Sequence, residues 1–236
     1  MGEISKHERF YMTTVIFLVE DCLFKVPRDP FETESTVFRD MFSLPVVEDH
    51  TEVEGLDDSK PIRLEGTKKD DFEQLMKVLL HRINGQFQEL PGDIAQWTSV
   101  LKLSTLWGFS TLRQVAIDNL SELETRLAEK IALGYAYDVK SWLLPVMNEL
   151  VRQPEPIDMK EASCMGIETA LKLASVREQL ALHDVPCKIN CQNFNAGTVY
   201  RKTHTYFTKE LAPGRRANVR ALDFTPILRN TLKIYG

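Results

Sequence analysis

The sequence predicts an α+β protein: a small mixed sheet flanked by α-helices, followed by an α-helical extension. Three observations predict it. Two short apolar runs, residues 15–19 and 23–26, are separated by little more than Glu20-Asp21, which fits two strands joined by a tight turn. Phe72, Leu75, Met76, Leu79 and Ile83 recur at helical spacing, as do Ile94, Trp97, Val100, Leu101 and Ser104. From Leu103 onward a helix-break-helix pattern repeats with an offset of 30 residues.

The hairpin is expected to end at Pro27, Asp29 and Pro30, because proline cannot continue a strand ladder. Ser35 is the natural N-cap of a short helix whose Val37, Phe38, Met41 and Phe42 share one face. Residues 48–60, EDHTEVEGLDDSK, are acidic and aperiodic, and so read as an exposed, mobile spacer. A third strand is expected at 61–66, PIRLEG, then an amphipathic helix over 69–83 and a pair of helices over 94–120 broken at Gly108. Both the 69–83 helix and the one after it should pack against the sheet. His81 and Arg82 would close the first of them, where positive charge suits a helix C-terminus.

The repeat aligns Trp107 with Tyr137, Phe109 with Val139, Leu112 with Trp142 and Leu120 with Leu150. A helix pair with one apolar face cannot bury that face alone, which is the physical reason for stacking such pairs. An alternative stays open, since any two helical hairpins look alike at this level. Pro154 and Pro156 punctuate the extension between helices. Beyond residue 186 the periodicity is poor: residues 199–207 read as a strand or a frayed helix, and 226–232 as one short terminal helix.

The chain has 236 residues, 43% hydrophobic and 27% charged, enough for a substantial core without disulfides. Cys22, Cys164, Cys187 and Cys191, with no apolar leader after a basic start, point to a reducing, intracellular location, cytoplasmic or nuclear. No run approaches transmembrane length, so no membrane role is expected. From Arg201 to Gly236 eight Lys or Arg stand against Glu210 and Asp223, a net +6 that leaves −11 for residues 1–200 of a chain at −5. That segment reads first as a solvated tail; the alternative is a basic arm for acidic partners or, in a transcription-linked protein, for nucleic acid, which is not the expected partner.

Enzyme signatures are missing from the sequence: it has no phosphate-binding P-loop, no dinucleotide fingerprint, no nucleophile elbow and no H-E-x-x-H. No catalytic residue and no cofactor is expected. His183, Cys187, Cys191 and His204 have ligand types that suit zinc, but Pro186 interrupts the helical spacing that would align the first three, and ordinary reduced thiols are the expectation. Cys164, on an expected helix without a nearby His, reads as a packed thiol.

A hairpin, a short link and then S-x-x-F-x-x-M-F resembles the opening half of a BTB/POZ domain. The phrases FRDMFSLP, PIRLEG, DDFEQLMKVLL, WTSVLKLSTLWGF and SWLLPVMNELV are similar to those of the BTB-domain proteins numerous in mushroom-forming (basidiomycete) fungi, over roughly residues 8 to 182. The resemblance implies a BTB/POZ domain at 8–121 and a helical extension at 122–185; the remaining residues, 186–236, read from their composition as an irregular basic tail. It also implies a non-enzymatic module for protein–protein interaction, with self-association or a cullin ubiquitin-ligase scaffold as partners. For the cullin use, the family's hydrophobic-x-Glu sequence is matched by Phe87-Gln88-Glu89, which makes Phe87 and Glu89 the candidate partner-binding residues. Two departures count against other uses. Thr14 and Pro27 stand where many members carry the Asp and His of a corepressor groove, and about eleven residues precede the first strand, too few for an exchanged strand and helix.

Overall fold

The computed structural model describes residues 5–7, 11–44, 54–84, 89–183 and 223–233. The chain divides into two units, Met1–Thr125 and Arg126–Gly236. Among the described residues there are three strands and ten helices, a mixed α+β architecture.

In the first unit, β1 (Thr14–Val19) and β2 (Cys22–Pro27) form the expected antiparallel hairpin, in register from Thr14 opposite Pro27 to Val19 opposite Cys22. Its turn places Glu20 at φ 55°, the left-handed conformation that suits the twist of a two-residue hairpin. The segment between the strand and Ser35, expected as a plain link, is itself a short helix, α1 (Asp29–Glu34), started by Pro30 in its first turn. Helix α2 (Thr36–Phe42) follows, with Ser35 as N-cap. Strand β3 (Ile62–Arg63) is shorter than the expected 61–66 and pairs parallel to β1, giving the order β2-β1-β3. The central strand is therefore covered on both faces, with Val15, Ile16 and Phe17 all buried, whereas edge strand β2 alternates between more and less exposed positions.

Part of the acidic segment is docked on the sheet, contrary to the spacer expectation. The Ile16 N–H donates to the Gly55 carbonyl at 2.8 Å, and the Gly55 N–H donates to the Lys60 carbonyl at 2.7 Å. Gly55 sits at φ +84°, and a Cβ there would lie 2.8 Å from Ile62 Cδ1 and 3.0 Å from Val15 Cγ2. Only glycine lets this turn close against β1. The side chains at 56–60 are exposed; the earlier part of the segment, through residue 53, lies outside the described residues.

Helix α3 (Lys69–Asn84) lays Phe72, Leu75, Met76 and Leu79 into the core. The Glu20 carboxylate accepts from the Lys69 N–H at 3.1 Å, so the hairpin turn supplies an acceptor and a negative charge to the N-terminus of α3. His81, expected to close this helix, lies in its last turn, and its Nδ1 is buried with no hydrogen-bond partner among the described residues. Helices α4 (Ile94–Leu106) and α5 (Ser110–Glu122) form the pair broken at Gly108. Asp93 caps α4 by accepting from the Gln96 N–H at 2.8 Å. Between α3 and α4, Asp71 accepts from Ser99 Oγ at 2.6 Å and from Lys102 Nζ at 2.7 Å.

These elements meet around a cluster of rings. Phe17 lies 5.0 Å from Phe31, Phe31 5.0 Å from Phe38, Phe38 5.3 Å from Trp107, and Trp107 5.9 Å from Phe72. Most contacts in the cluster are edge-on or tilted, the arrangements that the ring quadrupole favours, each adding about 0.5–1.5 kcal/mol beyond area burial. Sheet, α1, α2, α3 and the α4–α5 junction thus share one core.

The second unit contains α6 (Leu127–Ala136), α7 (Lys140–Arg152), α8 (Met159–Met165), α9 (Ile167–His183) and α10 (Thr225–Leu232). The 30-residue offset holds at the level of backbone geometry. Trp107 and Tyr137 are the C-caps of α4 and α6, and Phe109 and Val139 are the N-caps of α5 and α7. In each junction the residue between them is left-handed, Gly108 at φ 67° and Asp138 at φ 52°. The next N–H reaches back five residues in the Schellman pattern, from Phe109 to Ser104 at 2.9 Å and from Val139 to Gly134 at 2.8 Å. Pro154 and Pro156 fall between α7 and α8, as expected, and Asp158 and Glu161 form a complete capping box at the start of α8.

Within the 186–236 segment the short terminal helix expected at 226–232 is present. The described part of that segment, residues 223–233, carries α10, which packs on α7 and α9 and buries Phe224 and Leu228. Residues 184–222, which hold most of the basic arm and the 199–207 segment, lie outside the described residues.

Candidate interaction surfaces

The sequence-derived candidates are distributed as follows. Glu89 is exposed just ahead of α4, and Phe87 lies outside the described residues, so the pair is not seen together. Thr14 and Pro27 are cross-strand partners at the open end of the hairpin. Cys187, Cys191 and His204 lie outside the described residues, and His183 is placed only as the last residue of α9. Cys164 is on a helix, as expected, but is exposed instead of packed. Among the described residues no three His, Cys, Asp or Glu side chains gather as a metal site. No helix there is long and apolar enough to cross a membrane.

Two surface features were not anticipated, both in the second unit. The first is an apolar stripe. Ile167 and Leu171, one turn apart on α9, are each 66% exposed, and Tyr135 of α6 is 44% exposed. Burial pushes the Tyr135 hydroxyl pKa up, with Lys172 lowering it and Glu168 raising it. Lys172 Nζ donates to Glu168 Oε1 at 2.6 Å, so an ion pair rims the apolar residues. Large side chains on an amphipathic helix normally turn inward, and a cluster left in water with a polar rim is the usual form of a protein-binding surface. The signal in the sequence was ambiguous: Ile167, Ala170, Leu171 and Leu173 surround the helix instead of selecting one face.

The second feature is a groove between α7 and α10, about 530 Å³ in volume. Two residues that line it, Asn148 and Thr225, belong to a polar latch. Asn148 Nδ2 donates to Asp223 Oδ1 at 2.7 Å and to Thr225 Oγ1 at 3.0 Å, while Asn148 Oδ1 accepts from the Phe224 N–H at 3.0 Å. The Thr225 N–H also donates to Asp223 Oδ1 at 2.9 Å. Bonds from the Thr225 hydroxyl and backbone, then from Asn148, lower the Asp223 carboxyl pKa to about 2. Asn148 is only 8% exposed, so a buried amide fixes where α10 starts. Sequence reading missed this because the two halves of the latch are far apart in the chain.

No protein-family model matches the chain, and no curated protein matches it.

Proposed function

We propose that the chain is a non-enzymatic protein-interaction module of the BTB/POZ type that binds protein partners, a second copy of itself included among the candidates. The observation that carries this reading is the exposed pair Ile167 and Leu171, one turn apart on α9, with the Glu168–Lys172 ion pair on the same helix, because burying such residues against a partner releases the water that they order. The BTB/POZ part rests on the sequence phrases, and the element order supports it: a hairpin, two short helices joined at Ser35, a strand parallel to β1, and the helices α3 to α5.

The test is affinity capture with the full chain, run beside the Ile167→Glu/Leu171→Glu double variant and beside Glu89→Lys, together with light scattering of the purified protein. The expected result is a stoichiometric partner, or a dimer, that the double variant loses. A cullin subunit lost with Glu89→Lys would give the module the adaptor role. A protein that stays monomeric and captures no stoichiometric partner overturns the proposal.

A further inference from the structure

The α7–α10 groove carries charge of one sign. Lys140 and Arg152 lie at opposite ends of α7 and Arg229 lines the other wall, and no Asp or Glu is among the described residues that line it. The latch carboxylate, Asp223, is engaged by Asn148 and Thr225, and its charge interacts with Arg152. Lys140 and Arg229 add two further cations to the groove. Lys140 is the first residue of α7, a position where the helix dipole opposes positive charge, so helix stability does not account for it.

A second property distinguishes the kind of anion. Pro145 lies inside α7 and also lines the groove. The groove therefore combines cations with the apolar surface of Leu144 and Pro145. A bare phosphate has no apolar group to bury against that surface, whereas an extended peptide offers it an apolar side chain and offers carboxylates to the cations. From Ser141 to Arg152 the helix rises about 17 Å, the span of about five extended residues.

We propose that this groove binds an extended acidic segment of a partner protein, about five residues long, with acidic side chains at both ends and an apolar one between. The proposal rests on the interaction-module reading and names the chemistry of one partner.

The probe is a fluorescein-labelled peptide, Gly-Asp-Glu-Leu-Glu-Asp-Gly, titrated with the full chain and followed by anisotropy. Binding is expected at low salt and should weaken about tenfold in Lys140→Glu/Arg229→Glu and again as salt rises through about 0.3 M. A carboxylate suits the start of α7, and the milder Lys140→Gln/Arg229→Gln pair, with melting curves for both, separates lost binding from lost folding. Replacing the central leucine by serine should weaken binding severalfold, and inorganic phosphate should compete no better than chloride at equal ionic strength. The proposal is overturned if the peptide does not bind, if its lysine-substituted version binds as well, or if the charge variants bind it unchanged. Displacement by inorganic phosphate alone, or tighter binding of a single-stranded oligonucleotide through the same residues, also overturns it. Partner capture that is lost in Ile167→Glu/Leu171→Glu would leave the broader reading standing in each case.

Discussion

The Ser35 hydroxyl donates to the Trp107 carbonyl at 2.6 Å and accepts from the Phe38 N–H at 3.0 Å. One fully buried side chain therefore satisfies an orphan donor at the start of α2 and an orphan acceptor at the end of α4, elements 72 residues apart by this bond. The same contact is reinforced where the Thr36 N–H meets the Gly108 carbonyl and Ser35 pairs with Phe109 as an isolated bridge. The hairpin half of the first unit is fastened to its helical half here, beside the Phe38–Trp107 ring pair.

Ser35→Ala removes both bonds without adding bulk. Losing the cap costs about 1 kcal/mol, and leaving the Trp107 carbonyl buried and unpaired adds about 1–3 kcal/mol. Chemical denaturation should show a loss of about 2–4 kcal/mol for the first unit, and Ser35→Thr, which keeps the hydroxyl, should recover much of it. A loss below about 0.5 kcal/mol would mean that water replaces the hydroxyl at the junction.

Gly108→Ala should be at least as damaging, for a separable pair of reasons. The new Cβ would stand 2.2 Å from Thr36 Oγ1, and the backbone is at φ +67°. Clash and left-handed strain together give about 2–4 kcal/mol. In a Thr36→Ala background the clash is relieved and only the strain persists, about 1–2 kcal/mol. A double-mutant cycle of melting curves measures the difference as a coupling energy; perfect additivity would show that Thr36 moves aside at no cost.

Much of this junction was legible in the sequence, and the part that was not has a clear physical origin. Ser35 as an N-cap follows from what stands within a few residues of it, and so does the break at Gly108. The bond from Ser35 to Trp107 depends on where two distant segments meet, which no local period encodes. The same limit hid the Asn148 latch and the three cations of the groove, which come from α7 and α10. Gly55 was a missed cue: a glycine inside an otherwise charged, aperiodic stretch marked the place where backbone approaches backbone. Cys164 and the α9 stripe failed for another reason. Apolar residues all around a helix do not say which of them stay in water.

Asp71 ties α3 to α4, and its charge is what the tie needs. Burial by itself would raise its pKa, but hydrogen bonds from Lys102 and Ser99 outweigh it and hold the carboxyl below the usual range. Asp71→Asn should destabilise the first unit by about 1–2 kcal/mol at neutral pH, because the Lys102 ammonium then faces a neutral amide. The difference from the wild type should shrink as the pH falls below the ordinary carboxylate pKa of 3.8 toward the lower folded value, since protonation removes the same charge. Equal melting temperatures of the two proteins at pH 7 would refute this.

The latch makes docking of α10 acid-sensitive, with a sign fixed by the direction of the Asp223 shift. Its folded carboxyl pKa is about 2, below the ordinary value of 3.8, so ionisation favours the docked state. That contribution is complete above pH 4 to 5 and is lost as the pH falls from about 4 through about 2. The structure gives the reason: Asp223 Oδ1 accepts from Asn148 Nδ2 and from the Thr225 N–H, and a protonated acid is a poorer acceptor for both. Hydrogen exchange at the amides of Thr225–Leu232 should accelerate over this interval before the α7 amides respond. Asp223→Asn should show the faster exchange already at neutral pH and lose the acid dependence. Asn148→Ala should do more, because Phe224 N–H loses its acceptor as well as Asp223 its donor. Equal protection of α10 in the wild type and in Asp223→Asn at every pH would show that Phe224 and Leu228 dock the helix without help from the latch.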